Sequence, residues 1–191
     1  WIKPVTEAML GEQTAVARAA VAVAVRWPKA DWLRGLRVVA EDQKRPVDLR
    51  MDALAVLNAG TVQTETLTQL IRLYRDSISP TESDRAAQII GNARLNPGQL
   101  GLVTPLLANA SPRQLRDLIR PYQRQLPQSV ADQFLAGVND AAALLSLPEH
   151  ELSDVIKRFP RESIPMGNKI LDRLKKHHQE KLGRLEKLRS R

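Results

Sequence analysis

Proline recurs at Pro46, Pro80, Pro112 and Pro148, at spacings of 34, 32 and 36 residues. After each come apolar residues at helical spacing, a second break, and another helical stretch. A period in the thirties with two helices per unit is the pattern of an α-solenoid, in which each hairpin stacks only on its neighbours. The 191 residues leave room for about five such hairpins. The expected fold is all-α: a right-handed α-α superhelix of about five hairpins over residues 1–165, followed by a long basic helix over 166–191 that caps it or connects it onward.

Composition narrows the function classes. Hydrophobic residues make up 43% of the chain and aromatics only 4%, which suits closely stacked helices and argues against an aromatic base-stacking surface. No run of about 18 apolar residues is present, so no membrane span is expected. The apolar stretch Ala15–Val25 is short, carries Arg18 and lacks the flanks of a secretory signal. The chain opens at Trp1 without an initiator Met, which suggests a piece of a longer protein. Cysteine is absent, which removes disulfides, thiol catalysis, iron–sulfur clusters and C-x-x-C-H haem attachment but leaves the compartment open. The net charge of +8 is unevenly spread: residues 1–151 hold 17 basic and 16 acidic groups, residues 152–191 hold 12 and 5. The basic character belongs to the C-terminal segment.

The repeats read as follows. Repeat one runs from about Gln13, with a first helix ending before Pro28 and a second that turns Trp32, Leu33, Leu36, Val39 and Ala40 inward. In repeat two, Pro46 opens a helix with Val47, Met51, Leu54 and either Ala55 or Leu57 buried, and Gly60 stops it. Thr64 caps its partner, whose inner face is Leu67, Leu70, Ile71 and Tyr74. Repeat three follows Pro80, with Thr81 or Ser83 as cap; Asn96-Pro97-Gly98 breaks it, and Pro105 shortens or kinks the next helix. Repeat four opens at the Ser111-Pro112 cap, buries Leu115, Leu118, Ile119 and Tyr122, and continues after Pro127 in a longer helix. Repeat five opens at Pro148 and stops at Pro160. The last helix, about Met166 to Arg189, carries a stripe of Ile170, Leu171, Leu174, His178, Leu182, Leu185 and Leu188.

The strings VDLRMDALAVL, SDRAAQIIGNARL and AVARAAVAVAV resemble the second-helix consensus of HEAT repeats. In that family an Arg near the helix start precedes alanines and leucines at helical spacing, and a neighbouring Asp often pairs with the Arg ladder; Arg50, Arg85 and Arg18 hold the Arg place here, and Asp52, Asp48 and Asp84 stand near them but not in one fixed register. Repeats four and five depart from the pattern, so the repeat count stays open. The run PRESIPMGNKILDRLKKHHQEKLGRLEKL is similar in style to the helical-repeat segment of large secreted bacterial proteins that combine a propeller-like dehydrogenase domain with a c-type cytochrome domain. That resemblance implies a periplasmic or extracellular setting. It brings no haem ligand or dehydrogenase residue, because none of the matching motifs stands in this chain.

Three features are candidates for chemistry. His177 and His178 are adjacent, so their side chains point about 100° apart on a helix and cannot grip one metal; with His150 they read as surface or half-buried histidines, and no metal or other cofactor is expected. Trp27, Asp31 and Trp32 are similar to the aromatic and carboxylate set of HEAT-like DNA glycosylases, but equally fit two indoles plugging the gap between two helices. Lys175, Lys176 and Lys181, within the basic run that ends at Arg191, could neutralise phosphates or an anionic membrane surface, or simply form a solvated face. No phosphate-cradling loop, paired-carboxylate site or nucleophile elbow is present. The expected function is therefore a non-enzymatic scaffold or protein-interaction segment, with a protein partner or flanking domains of the same chain bound near Arg50, Arg85, Asp52 and Asp84. The alternative is nucleic-acid binding of the DNA-glycosylase type through Trp27, Asp31, Trp32 and the three lysines.

Overall fold

A computed structural model describes residues 2–59, 62–77 and 79–189. The expected stop at Gly60 and the end of the basic run at Arg191 lie outside the described residues. Among the described residues there are eleven α-helices, in two compact units, residues 1–95 and 96–191.

The first unit holds α1 (Ile2–Leu10), α2 (Thr14–Arg26), α3 (Leu33–Glu41), α4 (Val47–Leu57), α5 (Thr64–Asp76) and α6 (Pro80–Asn92). Helix α1 packs on α2, α3 on α4, and α5 on α6. A second set of contacts joins α2 to α4 and α4 to α6, so these three lie in a row, and α1 also meets α3. The hairpins are thus out of phase with the expected repeats by one helix. Proline opens the second helix of a pair, not the first: Pro46 precedes α4, which folds back on α3, and Pro80 begins α6, which folds back on α5. In this unit the paired helices are joined by three to five residues, whereas six separate α4 from α5. In the link before α4, the Arg45 guanidinium donates to the Gly11 carbonyl at 2.7 Å and lies 3.3 Å from Asp42, tying that turn to the end of α1.

Several local expectations are corrected. Leu33 is 37% exposed, and the inward face of α3 is Gly35, Leu36, Val39 and Ala40 beside Trp32. Helix α4 buries Leu49 and Ala53 along with Met51 and Leu54, because four helices surround it, and a helix enclosed on most sides shows no clean stripe. Val47, Ala55 and Leu57 are only half-buried, as is Tyr74 on α5. The N-cap position of α5 is Gln63, with Thr64 already helical; that of α6 is Ser79, with Pro80 in the first turn. Ser83 donates instead to the Pro80 carbonyl at 3.0 Å.

The second unit holds α7 (Pro97–Val103), α8 (Pro112–Ile119), α9 (Gln128–Asn139), α10 (Glu149–Ile156) and α11 (Ile164–Arg189). Helix α9 packs on both α7 and α11, α8 packs on α10, and α10 pairs with α11. Pro105 does shorten its helix: α7 ends at Val103 and passes into a 3-10 turn, Thr104–Leu106. Asn96 and Ser111 are N-caps in full capping boxes with Gln99 and Gln114, each with proline next in the chain. The long helix expected after Pro127 stops at Asn139, where Asn139-Asp140 favours a turn and the Ala142 amide donates to the Ala108 carbonyl at 3.0 Å. Helix α10 ends at Ile156, and α11 begins at Ile164, two residues before the expected start.

Aromatic packing centres this unit. The Tyr122 and Phe134 rings are 4.4 Å apart, and Phe134 meets Phe159 edge-on at 5.5 Å. The buried Tyr122 hydroxyl donates to the Leu100 carbonyl at 2.9 Å and sits 3.0 Å from Thr104 Oγ1. Burial raises the Tyr122 phenol far above its ordinary value, against a smaller lowering by Thr104. Its stabilising contribution is therefore complete below the unfolded phenol's pKa, about 10, and is lost as pH rises from there toward the folded value. We expect Tyr122→Phe to cost about 1–2 kcal/mol at neutral pH. It should also flatten the fall in stability above about pH 10. Urea unfolding of both proteins at neutral and alkaline pH checks this, and identical alkaline slopes would contradict it.

Candidate functional site

The polar residues of α4 look to two sides. Asp48 and Asp52 are one turn apart and share a face. Arg18 of α2 grips Asp48 with both terminal nitrogens, the second at 3.3 Å, and Arg85 of α6 pairs with Asp52. The hydrogen bond from Arg18 holds the Asp48 carboxyl below its usual range; burial opposes this, and the Leu49 amide assists. The same bond raises the Arg18 guanidinium. Both side chains of the Arg18–Asp48 pair are 46% exposed, so solvent screens the bridge and it contributes little to stability. Its value lies in register, since it joins neighbouring helices of one row.

Arg50 stands two residues from each aspartate, which is about 200° around the helix axis. Its Nε donates to the Ala40 carbonyl of α3 at 3.1 Å. It lines an open groove of about 550 Å³ with Glu41 of α3, Gln69, Arg72 and Asp76 of α5, and Glu82 of α6. Glu82 also accepts a hydrogen bond from Ser77 at 2.9 Å. Two guanidinium groups and three carboxylates thus meet in one concave surface. Such a lining can hydrogen-bond an extended polypeptide of mixed charge.

Of the four residues expected to form one binding surface, Asp52 and Arg85 meet. Arg50 faces the groove, and Asp84 sits near Tyr74, whose phenol is raised first by burial and then by the Asp84 charge. The groove residues Glu41, Arg72, Asp76 and Glu82 went unseen in the sequence. The one available signal was Arg72 and Asp76, an i, i+4 pair on α5 that avoids its buried stripe.

The tryptophans part company. Trp32 is buried at 3% exposure, with the Lys29 ammonium 5.7 Å from its ring centre, whereas Trp27 is 61% exposed and Asp31 is exposed. Trp32 alone plugs the space by α3, and the expected plug of two indoles is corrected to one. Lys175, Lys176 and Lys181 are exposed on α11, with Lys175 Nζ 3.5 Å from Glu149 of α10. The tryptophans belong to the first unit and these lysines to the second.

His178 Nε2 lies 3.2 Å from the Leu145 carbonyl, and the His177 and His178 rings are 6.1 Å apart. Among the described residues, no group of three or more histidines, aspartates or glutamates could hold a metal ion, and no helix is long and apolar enough to cross a membrane. No protein-family model, curated protein or solved structure matches the chain.

Proposed function

We propose that the chain is a HEAT-like helical-repeat scaffold that holds a polypeptide segment, from a partner protein or a flanking domain, in the groove around Arg50 and Arg72. One observation carries this reading: polar contacts between helices recur at nearly constant separation in both units. Arg18 meets Asp48 across 30 residues and Arg85 meets Asp52 across 33. In the second unit Ser163 donates to Asp132 across 31 residues and Arg173 to the Asn139 carbonyl across 34. Rungs of this kind suit a stack of hairpins in which each repeat touches the next. The similarity of residues 160–188 to secreted multidomain redox proteins makes such a protein the proposed parent.

Panning a displayed peptide library against the full chain tests the binding role. We expect enriched peptides whose affinity falls about tenfold or more in Arg72→Glu, a change near 1.4 kcal/mol, and is untouched by Lys176→Glu. Enriched peptides indifferent to Arg72→Glu would overturn the groove assignment. Titration with labelled duplex DNA at about 50 and 300 mM salt covers the nucleic-acid alternative; tight binding that weakens steeply with salt would favour it over the scaffold.

A further inference from the structure

Helix α11 outlasts the unit that supports it. As far as Leu174 it is core: Gly167 lies against Ile156 of α10, and Ile170, Leu171 and Leu174 are buried. His178 then reaches the Leu145 carbonyl. Beyond it the apolar stripe continues, but Leu182, Leu185 and Leu188 are 60%, 47% and 68% exposed. Gly183 in this stretch has nothing near enough to touch an added Cβ.

Charge is arranged around that stripe. At about 100° per residue the three leucines span about 120° of the helix. On the same wheel, Lys181 falls between Leu185 and Leu188, Arg189 falls between Leu182 and Leu185, and Arg184 borders the stripe. Glu180 and Lys187 lie on the far side, and Glu186 at the opposite border. A second copy laid along this face would bring the three basic residues against their counterparts. A groove in a partner protein would bury Lys181 and Arg189, at a cost unless each found its own carboxylate. A lipid surface has neither difficulty, because leucines enter the acyl boundary while lysine and arginine stems reach out to the headgroups.

We propose that residues 178–189 form an amphipathic anchor that docks this protein on an anionic lipid bilayer surface. The test is co-sedimentation of the full chain with vesicles of phosphatidylcholine alone, or of two parts phosphatidylcholine to one part phosphatidylglycerol. We expect partition only onto the anionic vesicles, lost in high salt. Each basic residue near an anionic leaflet strengthens binding about fivefold, so Lys181→Glu with Arg184→Glu should reduce partition about 25-fold from the lost cations, and further through repulsion of the two new carboxylates. Leu182→Gln with Leu185→Gln should reduce it at least about tenfold. All four side chains are exposed, so the melting temperature should hold. No partition onto anionic vesicles, or partition unaffected by the leucine changes, would overturn the anchor. A dimer in sedimentation equilibrium that the leucine changes dissolve would assign the face to a second copy instead.

Discussion

Leu54→Asp should unfold the first unit. Leu54 is fully buried on α4, the helix on which α2, α3, α5 and α6 all pack. Aspartate there loses the transfer energy of a leucine, leaves a void, and takes a carboxyl out of water. The group escapes part of the charging penalty by taking up a proton, but the neutral acid still leaves hydrogen bonds unmade. Together these cost about 4–5 kcal/mol or more, comparable with the whole stability of many domains. All three tryptophans of the sequence precede residue 96 and Trp32 is buried in this unit, so a red-shifted indole emission reports its unfolding directly. Ile89→Asp on α6 should act in the same direction and more mildly, since Ile89 keeps 9% exposure. Leu33→Asp, at a position 37% exposed, should cost about 0.5 kcal/mol or less. Native emission and an unchanged melt in Leu54→Asp would contradict the central place given to α4.

Local chemistry was the legible part of this fold. Ser111-Pro112 marks a helix start because a cap side chain and a fixed φ act within one turn, whatever surrounds them; Asn96-Pro97, read from the sequence only as a break, caps α7 in the same way. Pro105 ends α7 for an equally local reason. Tertiary context decided the rest. The apolar residues of α4 gave a partial stripe because neighbours cover nearly every side of that helix. The proline period gave a unit of two helices but not which two, since pairing is decided by how the helices pack. Helix α1, with Met9 buried at its end, precedes the first recognised repeat and was missed. The candidate groove was illegible for the same reason: Glu41, Arg50, Arg72 and Glu82 come from four helices and converge only when those helices pack. The stripe of α11 was read as one continuous face; the structure buries its first half and leaves the leucines of its second half to solvent.

Gly167→Ala should destabilise the second unit although alanine is the better helix former. A Cβ built on Gly167 would stand 2.6 Å from Cγ2 of Ile156 and 3.1 Å from both its Cγ1 and Cδ1. Ile156 is 2% exposed and β-branched, and in a helix such a side chain has essentially one χ1 rotamer, so Cγ2 cannot swing aside. The α10 and α11 backbones must separate instead, at about 1–3 kcal/mol of overpacking. A helix-propensity gain of about 1 kcal/mol offsets part of that. Gly167→Leu has no compensating gain of this size and should detach α11 from α10, exposing Ile170, Leu171 and Leu174. Hydrogen exchange of α10 and α11 amides, with urea unfolding, reads both effects. A double-mutant cycle separates this contact from general damage. Ile156→Ala alone costs about 2–4 kcal/mol through its cavity, but it removes Cγ2 and makes room for the new methyl, so Gly167→Ala should be neutral or stabilising in that background. Ile156→Val keeps Cγ2 and should give no such relief. Equal penalties for Gly167→Ala in all three backgrounds would show that the close approach of α10 and α11 is not what requires glycine there.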